Sequence, residues 1–216
     1  MTDFATARRM MVDGQVRPYD ITDQGVLAAM LAVPRETFVP PELAGIAYID
    51  TDVPVGKGRR LLKPMVLAKL LQAAVVGEGS KVLVVGCATG YDAAVLAHMG
   101  AQVTALEEDG ALAAQARRAL AQAGSAVNVV EGPLTAGWSA DAPYDAILVS
   151  GCAEVMPPAL FDQLKDDGRL VAVMGEEPAC HGMIFRKTDG VTSGRSFFDA
   201  AATLLPGFAK PKAFAF

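Results

Sequence analysis

The chain reads Val82-Leu83-Val84-Val85-Gly86-Cys87-Ala88-Thr89-Gly90-Tyr91 at its clearest junction between a strand and a helix. The uninterrupted apolar run predicts a strand buried on both faces, as in a parallel sheet. A turn of small residues between two glycines then leads into a helix, which directs backbone N–H groups to the carboxyl end of the sheet. We therefore expect Gly86, Cys87, Gly90 and Tyr91 to contact a bound cofactor.

The spacing of small residues in this turn distinguishes between cofactors. A dinucleotide fingerprint requires glycine at positions 86, 88 and 91, whereas the chain has Gly86, Ala88 and Tyr91. A nicotinamide-dependent oxidoreductase is therefore the weaker interpretation. A nucleoside fits better, because Glu107 ends the next predicted strand, where its carboxylate can accept hydrogen bonds from both ribose hydroxyls. Glu108 is the alternative if the register differs by one residue.

Strands and helices alternate through most of the remaining chain. The predicted strands span 81–85, 102–107, 127–131, 144–150 and 169–174, and the predicted helices among them span 91–99, 110–122 and 157–164. Two further strands, 181–186 and 191–198, flank an Asp-Gly turn and predict an antiparallel hairpin. This order predicts an α/β fold with a doubly wound, mostly parallel sheet.

The first part of the chain predicts helices and a loop that precede this sheet. Thr22 can cap a helix that Pro34 ends, and Pro64 opens a second helix. Between them, residues 40–63 are rich in Pro, Gly and Asp and predict an ordered loop of the kind that often carries function.

The domain organisation predicted from these elements is a single unit, because the chain contains no low-complexity linker. We expect one domain over residues 1–216, in which residues 1–76 pack as helices and a substrate-side loop on a sheet core of residues 77–216. At the end of the chain, residues 205–208 with Phe214 and Phe216 predict a terminal strand buried against the sheet edge.

Composition excludes several classes of protein. The chain is 52% hydrophobic and 20% charged with a net charge of −5, and its basic residues are scattered, so a nucleic-acid partner has little electrostatic support. Its apolar runs are too short to span a bilayer, and its first residues do not resemble a secretory signal. The three cysteines lack metal-ligand spacing and predict free thiols without a metal. We expect a cytoplasmic protein.

Several ordered blocks of the sequence resemble one family. They are residues 33–40 (VPRETFVP), 47–50 (AYID), 54–64 (PVGKGRRLLKP), 86–97, 128–132, 136–138, 142–147 and 158–170. These blocks cover most of residues 15–175 and look like the protein-L-isoaspartate O-methyltransferases. The resemblance implies the S-adenosylmethionine-dependent methyltransferase fold, a Rossmann-like sheet with an N-terminal helical extension, and S-adenosylmethionine as the cofactor.

The resemblance also implies a reaction. In such enzymes the carboxylate of a damaged aspartyl residue attacks the sulfonium-bound methyl group, and a carboxylate with a pKa of ~4 needs no general base. The acceptor is expected to be a peptide or protein carboxylate, or a small molecule. Asp50, Leu62 and Lys63 match substrate-side positions. The family usually has Ser where this chain has Leu62, so the catalytic residue is unknown, and Lys63 is an alternative partner for the carboxylate.

Other positions depart from the family pattern in the predicted cofactor site. Val84 replaces a frequent acidic residue, Ala88 replaces a glycine, and Pro133 and Leu134 replace an Asp-Gly that approaches the adenine. Two hypotheses follow. The first is an S-adenosylmethionine-dependent carboxyl O-methyltransferase acting in protein repair, and the second is a catalytically inactive or repurposed methyltransferase-fold protein with a binding or regulatory role. Nothing in the sequence indicates the oligomeric state.

Overall fold

The computed structural model describes residues 3–211, and a seven-stranded sheet forms its centre. The strands, numbered along the chain, are β1 (Val53–Gly56), β2 (Arg59–Leu61), β3 (Lys81–Val85), β4 (Gln102–Glu107), β5 (Asn128–Glu131), β6 (Tyr144–Ala153), β7 (Leu164–Glu176), β8 (Ala179–Thr188) and β9 (Val191–Asp199). The order in the central sheet is β5-β4-β3-β6-β7-β8-β9. Strands β3 to β7 pair in parallel, whereas β8 and β9 are antiparallel, which confirms the predicted fold and the predicted hairpin.

Helices cover both faces of the sheet. They are α1 (Phe4–Met11), α2 (Gln24–Ala32), α3 (Pro64–Ala74), α4 (Tyr91–His98), α5 (Gly110–Gln122) and α6 (Pro158–Asp162), with further short helical segments at Val12–Val16, Arg17–Tyr19, Arg35–Phe38, Pro41–Ile46, Leu134–Ala136 and Ser139–Asp141. Within residues 3–211, none of the helices combines the length and the apolar character that crossing a bilayer demands.

Strand β3 shows why both faces need cover. Val82 and Val84 belong to the main core, which they share with α2, α3, α4 and α5. Leu83 and Val85 belong to a second core that contains Leu160 of α6. Because successive side chains of a strand point to opposite faces, this all-apolar strand is stable only between two packed layers. The carboxyl ends of β3, β4 and β6 lie together at one edge of the sheet, because these strands are parallel.

The predicted loop of residues 40–63 contains more regular structure than expected. Strands β1 and β2 pair as a short antiparallel hairpin around Lys57, separate from the central sheet. The hairpin alternates buried and exposed side chains, so that Arg59 and Leu61 point inward while Arg60 points to solvent. A strand of three residues is too short to produce a clear alternating pattern among so many Pro and Gly residues, which explains the incorrect prediction.

The predicted terminal strand is also wrong for residues 205–208. This segment is irregular and crosses the end of β6, where Leu205 N–H donates to Cys152 O at 2.9 Å and Cys152 N–H donates to Thr203 O at 2.8 Å. Phe208 is nevertheless buried in the second core, as expected. Phe214 and Phe216 lie outside the described residues. The segment thus lies at the end of the sheet instead of along its outer strand.

Candidate nucleoside site and acceptor cleft

The turn after β3 adopts the tight conformation that its small residues predict. Gly86 and Cys87 both direct their N–H groups to Leu106 O of β4, at 2.9 and 3.0 Å, and Gly90 N–H closes the turn on Cys87 O at 2.8 Å. Gly86 has a φ of +75°, a value that favours glycine. Cys87 is buried, and this burial raises the pKa of its thiol. The thiol is therefore protonated at neutral pH and does not act as a nucleophile.

Glu107 and the glycine turn converge, as the sequence predicts. The Glu107 side chain is 0% exposed, and its Oε2 accepts a hydrogen bond from Ala88 N–H at 2.8 Å. Its Oε1 accepts from the N–H groups of Glu108 and Asp109 at 3.0 and 3.3 Å. Glu108 itself is exposed, so Glu107 is the carboxylate that faces the turn.

A side chain that sequence reasoning missed occupies the space between these groups. Arg59 of β2 is 5% exposed, and its Nη1 lies 3.0 Å from Glu107 Oε1. Its Nη2 donates to Gly86 O at 2.6 Å. The alternation of inward and outward side chains in β2 could have indicated that Arg59 is buried. That alternation can be used only if residues 59–61 are first recognised as a strand.

Leu205 covers the same edge from the other side. A Cβ atom built on Gly86 would lie 3.2 Å from Leu205 Cδ1, and one built on Gly151 of β6 would lie 2.6 Å from Leu205 Cδ2. Glycine at both positions therefore allows the irregular C-terminal segment to approach the strand ends closely. The carboxyl ends of the two central strands are covered by Arg59 and Leu205.

The residues predicted beside the adenine lie next to this site. Gly132 N–H donates to Glu107 O at 3.1 Å, so Pro133 and Leu134 follow directly after the contact between β4 and the end of β5. Pro133 is exposed, whereas Leu134 packs in the second core with Phe208. Of this pair, Pro133 is the residue whose side chain is accessible to a ligand.

Tyr91 and Arg35 form a buried layer beneath the turn. The Tyr91 ring lies 4.6 Å from the Arg35 guanidinium carbon and 5.7 Å from the Phe38 ring, and its hydroxyl has no hydrogen-bond partner within residues 3–211. Burial raises the pKa of the Tyr91 hydroxyl. The Tyr91 side chain thus packs in the core. Only the backbone of this residue is therefore available to contact a cofactor.

Arg35 also fixes the predicted substrate-side loop. Its Nε donates to Ala47 O at 2.7 Å and its Nη2 donates to Leu62 O at 2.9 Å. The Leu62 side chain is buried in the main core, so this position presents neither a hydroxyl nor an exposed side chain to an acceptor. Asp50 and Lys63 are brought together, with 3.2 Å between Lys63 Nζ and Asp50 Oδ2.

A cleft of about 650 Å³ lies beside this loop. Arg60, Lys63 and Asp52 line one side of it, and Cys180 and Thr203 line the other. Asp52 accepts a hydrogen bond from Lys63 N–H at 2.7 Å, and burial raises the pKa of its carboxyl group. Glu177 and Asp199 also line it, so the cleft brings together three carboxylates and two cationic side chains next to the segment that covers Gly86.

A nucleoside fits this site only in part. The turn and Glu107 have the expected relationship, but Arg59 occupies the approach to both, and Glu107 is inaccessible while the guanidinium stays. Among the described residues, no group of three or more His, Cys, Asp and Glu side chains is placed to bind a metal ion.

A glycine turn after β3, an acid at the end of β4 and a mostly parallel sheet define a Rossmann-like protein of the methyltransferase class. Residues 8–199 match the family described as Protein-L-isoaspartate(D-aspartate) O-methyltransferase (PCMT). The chain belongs to this family. The predictions of the family, the fold and the enzyme class are thereby confirmed.

Individual relatives agree with this assignment. The chain is 47% identical over 173 residues to the protein-L-isoaspartate O-methyltransferase of Methylorubrum extorquens strain PA1, which covers 80% of this chain and 76% of the relative. It is 40% identical over 190 residues to the enzyme of that name from Gloeobacter violaceus, over 87% of this chain and 93% of the relative.

A solved structure supports the fold independently. The beta-aspartate methyltransferase (PCMT) from Plasmodium falciparum, in complex with S-adenosyl-L-homocysteine, has a TM-score of 0.80 to this chain and is 21% identical. The similarity covers 95% of this chain and 99% of that one. At this identity the comparison establishes the fold.

Proposed function

We propose that this chain transfers a methyl group from S-adenosylmethionine to the carboxylate of an isoaspartyl residue in a peptide or protein. The observation that carries the proposal is the contact of Glu107 with Ala88 N–H at 2.8 Å, in a chain that matches the family over residues 8–199. The relatives at 40–47% identity carry the name of this activity. S-adenosylmethionine, when bound, supplies an electrophilic methyl group.

The residues of this chain contribute orientation and electrostatics. An acceptor carboxylate is already ionised at neutral pH, so no base is needed, and catalysis depends on bringing the carboxylate into a desolvated site. Leu62 cannot donate the hydrogen bond that Ser provides at this position in the family. Arg60 and Lys63 offer cations instead, and both line the cleft beside the C-terminal segment.

The position of the cleft supports its use by the acceptor. Cys180 at its wall lies against Cys152, with 3.9 Å between the two Sγ atoms, and Cys152 follows Gly151 directly in β6. Gly151 and Gly86 both contact Leu205. The wall of the cleft is thus connected to the glycine turn through Cys152, Gly151 and Leu205.

The proposal extends to the setting of the reaction. We assign the reaction to the cytoplasm, supported by three buried free cysteines, which are typical of a reducing compartment. We assign residues 1–76 and 77–216 to one domain, supported by a main core that includes side chains from both parts, such as Met11 and Val82.

Methyl transfer tests the function directly. S-adenosylmethionine with a labelled methyl group is incubated with the protein and an isoaspartyl peptide, and the same peptide with a normal aspartyl residue is the control. We expect label in the isoaspartyl peptide alone, in a base-labile ester. Binding of the cofactor without any transfer would contradict the enzymatic proposal and favour the repurposed, non-catalytic member of the family.

A further inference from the structure

The contact between Arg59 and Glu107 closes the nucleoside site. The Arg59 guanidinium donates through Nη1 to Glu107 Oε1 at 3.0 Å and through Nη2 to Gly86 O at 2.6 Å. It therefore contacts both the acid at the end of β4 and the backbone at the end of β3. These are the two groups that a ribose and its attached chain would have to approach.

The hydrogen-bonding capacity of Glu107 is largely used within the chain. Backbone N–H groups of Ala88, Glu108 and Asp109 and the Arg59 guanidinium all donate to it. A carboxylate has about four lone-pair sites, so these four donors leave little capacity for another. The side chain is also 0% exposed, and a ribose hydroxyl therefore reaches Glu107 only after Arg59 has moved.

Arg59 also fills the space next to Gly86 in the turn after β3. A Cβ atom built on Gly86 would lie 2.5 Å from Arg59 Nη2. The guanidinium thus occupies the close approach that a glycine at this position offers to a ligand.

We propose that Arg59 is a latch residue of the cofactor site, which competes with the nucleoside for Glu107 and must swing out of the site before the nucleoside binds. This inference rests on the proposed function, because it concerns the cofactor of that reaction. The placement of Arg59 permits the movement, since β2 belongs to a short two-stranded hairpin separate from the central sheet. Its neighbour Arg60 already points to solvent.

Competition lowers the apparent affinity for the cofactor. When a site is accessible in a fraction of the molecules, the apparent dissociation constant rises by the inverse of that fraction. The closed state is favoured because Arg59 and Glu107 are both buried, and separating them without a replacement would leave two uncompensated charges. When the nucleoside binds, its ribose hydroxyls would donate hydrogen bonds to Glu107 in place of Arg59. The displaced Arg59 guanidinium would be hydrated by solvent.

Calorimetric titration with S-adenosylhomocysteine tests the latch without requiring turnover. We compare the unmodified protein with Arg59→Gln, which removes the guanidinium, and with Lys57→Gln as the matched control at the exposed turn of the same hairpin. We expect Arg59→Gln to bind at least tenfold more tightly than the unmodified protein, and Lys57→Gln to bind within twofold of it. A residue that merely stabilises the site would give weaker binding on substitution, the opposite result.

The remaining outcomes separate this inference from the proposed function. If the unmodified protein binds and Arg59→Gln is no tighter, the latch is refuted while the enzymatic proposal stands. If no form binds, the cofactor assignment and the latch both fail. Should Arg59→Gln not fold, Arg59→Lys decides, because its compact, strongly hydrated ammonium lacks the rigid planar fork through which the guanidinium bonds Glu107 and Gly86 O. Tighter binding by Arg59→Lys supports the latch, and unchanged or weaker binding refutes it.

Discussion

Ser150 of β6 donates a hydrogen bond to Oδ2 of Asp92, in the first turn of α4. Asp92 is almost completely buried, and its Oδ1 has no hydrogen-bond partner in the part of the chain that the structure describes. Burial, only partly offset by Ser150 and by the charge of Arg35, raises the pKa of the Asp92 carboxyl above its ordinary value of 3.8. The folded protein therefore holds this proton more tightly than the unfolded chain does.

Asp92 makes stability depend on pH in a defined direction. Its contribution is fully present below the unfolded pKa and is lost as the pH rises through the folded pKa. We expect Asp92→Asn to gain stability over the unmodified protein as the pH rises above about 4, the ordinary pKa of an aspartate. Urea unfolding at several pH values measures this difference, and a difference independent of pH would contradict the prediction.

Asp145 provides a control in which stability depends on pH in the opposite direction. A hydrogen bond from Lys165, aided by Lys81 N–H, lowers the pKa of its carboxyl group. Its contribution is present above the unfolded pKa and is lost as the pH falls through the folded pKa. Asp145→Asn should therefore lose stability relative to the unmodified protein at neutral pH, and the loss should shrink in acid.

Glu107→Ala should remove cofactor binding and destabilise the fold. It leaves the Arg59 guanidinium buried without its counter-ion, which typically costs about 3–5 kcal/mol. Glu108→Ala, at the exposed neighbouring position, should change the free energy of unfolding by no more than about 0.5 kcal/mol. Denaturant unfolding and titration with S-adenosylhomocysteine measure the two effects. Equal behaviour of the two variants would show that Glu107 is not the carboxylate of the site.

Leu205→Ala should destabilise the protein by about 2–5 kcal/mol, because the side chain is buried against Gly86 and Gly151. The adjacent Leu204 is 40% exposed, so Leu204→Ala should have an effect of about 0.5 kcal/mol or less. Thermal or denaturant unfolding distinguishes the two variants. Similar small losses in both would mean that the segment does not pack on the strand ends in solution.

Leu62→Ser restores the residue type that the family usually has, but we expect no gain in methyl transfer. The side chain at position 62 lies in the core, so the hydroxyl would be buried and the protein would lose roughly 3 kcal/mol. Lys63→Met should instead leave stability nearly unchanged and lower kcat/KM for an isoaspartyl peptide several-fold. A rise in methyl transfer by Leu62→Ser would show that this position faces the acceptor.

The central sheet could be predicted from the sequence because its signals are local. Strand β3 is a continuous apolar run that ends at a glycine, and α5 begins after Asp109, whose side chain accepts hydrogen bonds from Ala111 and Leu112 N–H groups. Glu107 could be placed because parallel strands end at the same edge. Each of these inferences needs only neighbouring residues and the geometry of a parallel sheet.

The covering of the site could not be predicted in this way. Arg59 lies 48 positions before Glu107, and Leu205 reaches Gly86 from beyond β9. Such contacts depend on where an irregular segment or a short hairpin crosses the sheet, and no periodic pattern encodes that path. The positive charge of Arg59 did not indicate its buried position either, because an arginine in a loop rich in Pro and Gly is usually solvated.

The C-terminal segment also has a consequence for the order in which the protein is assembled. Thr203 and Leu205, which hydrogen-bond to Cys152, follow β9 along the chain, and Leu205 also packs against Gly86, directly after β3. During synthesis, the sheet can pair before Leu205 has left the ribosome, and Leu205 covers Gly86 and Gly151 only afterwards. A nascent chain paused before that point would therefore lack this part of the cover, while Arg59 would already be available to pair with Glu107.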